Sequence, residues 1–179
     1  MAEYQDLVNA IDISLNFKEN FNHIRPVYKV EKNNSFYILK IFNAKKKWEN
    51  NQLITESKVL KKADKNKGVT HLIRDYGHVG GYVAILKEFA EGKRLLDIKN
   101  KLNNKNKKRI KTQLEKTIKD LHSKGIVGIE INDTNVIVLD GLETKIIDLG
   151  YCKFKSNFNH AYQFEVEKVV DHDELNDIF

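Results

Sequence analysis

The sequence predicts an α+β fold built as two lobes, and three observations carry that prediction. The first third alternates apolar and polar residues at period two, as half-buried strands do. One helical stripe then interrupts it, before two further strands. The second half changes to helical periodicity, broken by a single short hairpin.

The elements follow in order. "IDISLNF" (residues 11–17) puts Ile13, Leu15 and Phe17 on one face and reads as the first strand. "HIRPVYKVE" (23–31) follows, with Ile24, Val27, Tyr28 and Val30 as its apolar positions. The turn Lys32-Asn33-Asn34 sets off "SFYILKIFN" (35–43), giving an antiparallel meander. In residues 45–65, Leu53, Ile54, Val59 and Leu60 form the helical stripe, which closes before Gly68. Strands are expected at 72–77 and 82–87, joined through residues 78–81. Two helices come next, a short one at 94–102 and a longer one at 107–124 with Ile110, Leu114, Ile118 and Leu121 on one face. Strands at 136–139 and 144–147 make the hairpin, and 160–171 forms a last helix. The expected layout is a strand-rich lobe over 1–87, a strap over 88–93 and a mainly helical lobe over 94–179. Pro26 is the only proline, so flexibility at the strap is assigned to Gly80, Gly81 or Gly92.

Bulk properties narrow the classes. A chain of 179 residues with 41% apolar content buries a core without disulfides, and the single cysteine, Cys152, allows no internal bridge. No Cys/His cluster has metal-ligand spacing, no apolar run reaches membrane length, and the first residues lack a signal-peptide pattern. The expectation is a soluble, cytoplasmic protein that does not enter a membrane. The net charge of +6 concentrates in "KNKLNNKNKKRIK" (99–111), which carries seven basic residues and no acid. Such a run is either a solvated surface or an attractor of nucleic acid.

Four polar residues stand where patterning alone does not put them. Lys40 interrupts the apolar strand "YILKIF", and Glu56 follows sixteen residues later on the helix as a candidate counter-ion. In "GIEINDTNVIVLDGLETKIIDLG" (128–150), Asn135 precedes one strand and Asp148 ends the next, just before Leu149-Gly150. A carboxylate and an amide oxygen there suit a hard cation. Ordinary Asx turns at strand ends explain the same two residues.

Taken together, these stretches resemble the protein-kinase-like fold. "LHSKGIVGIEINDTNVIVLDGLETKIIDLG" is similar to the kinase pattern L-H-x-x-x-I-V-H-R-D-x-x-x-x-N followed by D-F-G. "YILKIF", "ITESKVL" and "VAILKEFAEGKRLLDI" fall in the order of that family's lysine strand, central helix and hinge. The compact kinases linked to the tRNA-threonylcarbamoylation complex are similar in their short length and "E-G-K" hinge. The resemblance implies a bilobal fold: a five-stranded antiparallel N-lobe with one central helix, and a truncated, mainly helical C-lobe. It implies that Lys40, steadied by Glu56, holds the phosphates of ATP, that Asn135 and Asp148 bind Mg²⁺, and that backbone groups at Glu88 and Ala90 contact adenine. Glu130 takes the position of the catalytic base.

Three departures qualify this. No glycine occurs before Gly68, so the connection after the first strand (18–23) lacks the glycine-rich cover over phosphates, and Lys18 or His23 is the expected compensation. Gly128-Ile129-Glu130 replaces His-Arg-Asp. Only 29 residues (179 − 150) follow Gly150, without an Ala-Pro-Glu triplet, so a protein substrate or partner is expected to dock on the C-lobe. Three readings follow: a minimal serine/threonine kinase, a pseudokinase that binds nucleotide or protein without transfer, and a basic nucleic-acid-associated domain. His71, His122 and His172 are expected to be structural or solvated, and Cys152 a packing residue.

Overall fold

The computed structural model describes residues 2–22 and 26–179. The expected strand start at His23 and Ile24, and His23 as a phosphate contact, therefore lie outside the described residues. The chain divides into two compact units, Met1–Ser57 with His71–Phe89, and Lys58–Thr70 with Ala90–Phe179.

Helix α1 (Ala2–Ile11) opens the first unit, and strand β1 (Asn16–Asn22) follows it. The strand expected at 11–17 is thus corrected: its first residue ends a helix and its next four form a turn. The reason is visible in burial. Val8, Ile11 and Leu15 are buried at spacings of three and four, whereas Ile13 is 86% exposed. Alternation would have buried Ile13 beside Leu15, but helical spacing won. Asp12 fixes the turn, for its carboxylate accepts the Ser14 N–H at 3.0 Å and the Tyr76 hydroxyl at 2.6 Å. The Lys32 and Arg74 side chains lie within ion-pair distance of the same carboxylate.

Strands β1, β2 (Val27–Lys32), β3 (Ser35–Asn43), β4 (Leu72–Val79) and β5 (Tyr82–Glu88) make one antiparallel sheet, ordered β1-β2-β3-β5-β4. Two tight hairpins set its register. Asn33 and Asn34 both take positive φ between β2 and β3, and Gly80 and Gly81 do so between β4 and β5. Positive φ at both central residues is what a two-residue hairpin of right-handed twist requires. Gly80–Gly81 is therefore a turn rather than the expected hinge. One face of the sheet and α1 share an apolar cluster of Val8, Ile11, Leu15, Tyr28, Val30, Leu39, Ile41, Ala84 and Leu86. The opposite face carries Ile38 and Lys40, which pair across β5 with Lys87 and Ile85. Helix α2 (Lys47–Lys62) belongs to this unit as far as Ser57.

In the second unit a short strand β6 (Gly92–Arg94) leads into helix α3 (Leu95–Ile98). Gly92 serves a close approach, because a Cβ there would collide with the Val138 carbonyl oxygen. Helix α4 (Asn104–Ser123) is capped by Asn103, whose side chain accepts the Asn106 N–H at 2.9 Å. Its buried stripe, Ile110, Leu114, Ile118 and Leu121, is the one the periodicity marks. Strands β7 (Ile126–Val127) and β10 (Lys153–Phe154) pair with each other, and β8 (Val136–Leu139) pairs with both β6 and β9 (Thr144–Ile146). Helix α5 (Ala161–Ile178) extends seven residues past the expected end and packs on α4 and β7. Its interior positions are Phe164, Asp171 and Leu175. Among the described residues no helix is long and apolar enough to cross a membrane.

Candidate functional site

In the first unit, Lys40 on β3 and Glu56 on α2 form a buried ion pair, with Nζ 2.6 Å from Oε2. The strand requires the lysine to point to the face that carries Ile38, and α2 brings the carboxylate to it. Charge-assisted bonds of this length are among the stronger ones, and burial removes the solvent that would weaken them. The other Glu56 oxygen, Oε1, accepts from Lys87 Nζ at 2.6 Å. Sequence reading missed Lys87. Its signal was a second lysine inside an apolar strand, "YVAILKE", of the kind that marked Lys40.

Glu88 follows Lys87 at the end of β5. Its N–H donates to the His71 carbonyl at 2.8 Å, and its carboxylate accepts the His71 N–H at 3.0 Å. That N–H is thus committed within the sheet edge. Lys18, expected to aid phosphate binding, forms an ion pair with Glu31.

In the second unit, the loop from Gly128 to Asn135 is held from both sides. Asp171 of α5, fully buried, accepts the Gly128 N–H at 3.1 Å and the Ile129 N–H at 2.7 Å. One turn on, Glu174 accepts the Ile131 N–H at 2.9 Å. His122 Nε2 lies 2.7 Å from Asp171 Oδ2. On the other side, the Asn132 and Asn135 side-chain amides both donate to the Glu130 carbonyl at 3.2 Å. Glu130 itself has φ of +50°, uncommon for a residue with a long side chain and strained by about 1 kcal/mol or more. Flanking amides and its own carbonyl are all bonded, so the strain is imposed by the surroundings.

The clamp was not legible in advance. Asp171 lies more than forty positions from Gly128 and Ile129, and the expected last helix stopped there. The histidine signal at residue 122 was the "LH" of the kinase-like stretch.

The Glu130 carboxyl is shifted as well, as is that of Glu174. Burial pushes the Glu130 carboxyl above the ordinary glutamate range, and the negative charges of Asp148 and Glu174 add to it. A cavity of about 500 Å³ opens on Glu130 and is lined by Lys99, Asn132, Asp133, Glu174 and Asp177 among others. Asp148, after β9, accepts the Gly150 N–H at 3.3 Å, so it turns the chain before the glycine. With its nitrogen bonded to the Glu130 carbonyl, Asn135 has its side-chain oxygen as the donor for a cation. An amide oxygen and a carboxylate are hard ligands, and Mg²⁺ is commonly held by one or two such groups, completing its shell with water and phosphate oxygens. The mutual repulsion of Glu130 and Asp148 is the local excess of negative charge that a divalent ion would offset, so these residues fit the ion.

Comparison with known proteins identifies the family. Residues 24–169 match the protein kinase domain family. The serine/threonine-protein kinase STE20 of Yarrowia lipolytica is 30% identical over 104 residues, which is 56% of this chain but 9% of that protein. The chain thus spans about a tenth of that relative's length. Because the family match covers far more than half of its residues, the chain belongs to the protein kinase domain family.

Proposed function

We propose that the protein is an ATP- and Mg²⁺-dependent kinase that transfers the γ-phosphoryl group to a serine or threonine hydroxyl of a protein. The observation that carries this reading is Glu130, whose backbone is fixed by α5 and two asparagines and whose side chain lines a cavity large enough for an acceptor side chain. Phosphoryl transfer demands positioning and charge neutralisation more than covalent chemistry by the protein. Lys40, oriented by Glu56, holds α- and β-phosphate oxygens. Backbone groups of Glu88 and Ala90 take the adenine edge. Asn135 and Asp148 hold the metal. Held there, Mg²⁺ would supply positive charge against the phosphate oxygens. Glu130 accepts a hydrogen bond from the acceptor hydroxyl and takes its proton as attack proceeds.

Labelled ATP with Mg²⁺ tests this directly, scored on a generic protein acceptor and on the chain itself. Transfer by the wild type that is lost in both Asp148→Ala and Glu130→Gln supports the kinase. A second reading, a pseudokinase, is favoured by the absence of glycine before Gly68 and by Gly128-Ile129-Glu130 in place of His-Arg-Asp. It predicts thermal stabilisation by MgATP with no transfer in any variant.

A further inference from the structure

The basic run of the sequence, residues 99–111, does not fold into one surface. Lys99 is committed to an ion pair with Asp133, its Nζ 2.5 Å from Oδ2. Lys107 and Lys111 are half-buried on α4. Lys105, Lys108, Arg109, Lys116 and Lys119 are exposed, and the last two lie beyond the run. Their spacing along the helix confines these five cations, with the exposed Thr112 among them, to an arc of about 100°. Ile110, Leu114, Ile118 and Leu121 take the opposite side and are fully buried. The cationic stripe therefore runs along the solvent side of α4 for about 21 Å, at about 1.5 Å per residue from Lys105 to Lys119.

Helix stability does not account for this stripe. Lys105 neighbours Lys108 and Arg109 on the helix surface, and Lys116 neighbours Lys119, so like charges repel at close spacing. The first turn holds no acid, and cations there oppose the positive end of the helix macrodipole. Solubility is served as well by interspersed signs, without the repulsion. Among the described residues, none of the five side chains forms an ion pair or a hydrogen bond. Acids at the margins do not neutralise them. Glu115 is half-buried at one border, and Asp120, at the other, accepts from Lys124 Nζ and Asn66 Nδ2. The turn Asp140–Leu142 meets α4 through Gln113, which donates to the Leu142 carbonyl at 2.9 Å, and its Asp140 pairs with none of the five. An unneutralised line of cations, kept against the preference of its own helix, points to an anionic partner.

We propose that the outer face of α4 is a docking surface for the phosphate backbone of a single-stranded nucleic acid, held without base readout. Backbone phosphates recur along a strand and are bound by lysine and arginine side chains with no apolar anchor. A helix lying on a bilayer needs an apolar face to bury, and that of α4 is already inside the fold. A protein partner needs apolar or aromatic anchors, and Thr112 is the only uncharged residue of the arc. A duplex gripped across a groove calls for cations on both flanks of a helix, whereas one flank of α4 carries Asn106, Gln113 and Asp120. One narrow line of charge fits one strand. The inference goes beyond the kinase reading and does not depend on it.

Fluorescence anisotropy of a labelled oligouridine RNA of about 20 nucleotides, titrated with the whole chain at about 50 to 200 mM salt, tests the proposal. Wild type is compared with Lys105→Gln/Arg109→Gln and Lys116→Gln/Lys119→Gln. A control, Lys45→Gln/Lys47→Gln, removes the same charge from exposed positions in the first unit. All four substituted lysines and the arginine of the stripe are exposed and none is buried, and each protein is checked for a cooperative melt. The wild-type affinity should fall with salt at a log–log slope of about −3, as four or five phosphate contacts to a single strand give. Each stripe variant should bind about tenfold more weakly and flatten the slope by about 1.4, while the control stays within about twofold of wild type. Three outcomes overturn the proposal while leaving the kinase reading intact. In the first, the wild type shows no salt-dependent binding. In the second, the control loses as much as the stripe variants, which makes the effect one of net charge. In the third, vesicles of equal parts phosphatidylserine and phosphatidylcholine, or poly-glutamate, bind through the stripe as tightly as the RNA, which gives the face to a membrane or an acidic protein.

Discussion

His122 Nε2 lies 2.7 Å from Asp171 Oδ2, joining α4 to α5 beneath the loop that carries Glu130. The same buried aspartate accepts two backbone N–H groups from that loop, so one side chain serves both a helix contact and the backbone of the candidate base.

Asp171→Ala should therefore be costly. It strands the Gly128 and Ile129 donors and leaves the His122 ring unpartnered on that side. The expected loss is about 2–4 kcal/mol, or a fall in Tm of roughly 5–15 °C for a chain of this length. Thermal unfolding followed by circular dichroism measures it. A melt indistinguishable from wild type would remove the clamp from the account.

Glu130→Gln should fold normally yet lose at least about a hundredfold in transfer, because the amide cannot take a proton. MgATP affinity should stay near the wild-type value. Comparable loss of both binding and transfer would place Glu130 in the nucleotide site instead.

The pH dependence of the same residue has a defined sign. Burial, with Asp148 and Glu174, raises its carboxyl above the ordinary glutamate range. A protonated base is inactive, so activity should fall on acidification at a higher pH than an ordinary glutamate gives. A raised folded value also means that the folded chain binds this proton more tightly than the unfolded one. Its contribution to stability is present at pH below the unfolded value of 4.5 and is lost as pH rises through the folded one. A wild-type rate profile with its acid limb at or below the ordinary range would contradict this.

Asp12 behaves in the opposite sense. Burial alone would raise its carboxyl, but hydrogen bonds from Ser14 and Tyr76 and the charge of Lys32 outweigh that and lower it to about 2. Its stabilisation is present above the unfolded value of 3.8 and disappears as pH falls towards 2. With solvent screening allowed for, the contribution is about 1 kcal/mol at neutral pH. Urea unfolding of wild type and Asp12→Asn should differ at neutral pH and converge in acid. A gap that persists below about pH 2 would show that packing, not ionisation, is responsible.

Two substitutions separate the observed helix end from the strand expected there. Val8→Ala removes fully buried methyl groups and should cost about 2 kcal/mol, whereas Ile13→Ser, at an 86% exposed position, should change stability by no more than about 0.5 kcal/mol. Chemical denaturation of both decides it. An Ile13→Ser loss as large as that of Val8→Ala would favour the strand.

Legibility in the sequence tracked the range of the interactions. The meander from β2 onwards, the stripe on α4 and the short β8–β9 hairpin are set by local period and turn chemistry, which the residues display directly. Lys40 was visible because it breaks an apolar strand, and Glu56 as the candidate counter-ion on the helix sixteen residues later. Ile11–Phe17 misled because Ile11 and Leu15 fit both periods, and only the exposure of Ile13 separates them. Lys87 was passed over because Glu88 follows it, so that it reads as the polar end of its strand. The hold of Asp171 and Glu174 on the loop depends on tertiary placement, which no local pattern encodes. Pairing of Gly92 with β8 was hidden for the same reason.

The backbone around residue 130 has one further implication. Its shape is dictated by acceptors on a distant helix and by neighbouring amides, none of which touches the carboxylate of residue 130 itself. Architecture and reactivity are thereby uncoupled at this position. Replacing the acid with an aspartate, an amide or a glycine asks nothing new of the scaffold, so catalytic competence can be gained or abandoned by exchanging one side chain while the fold carries on unchanged.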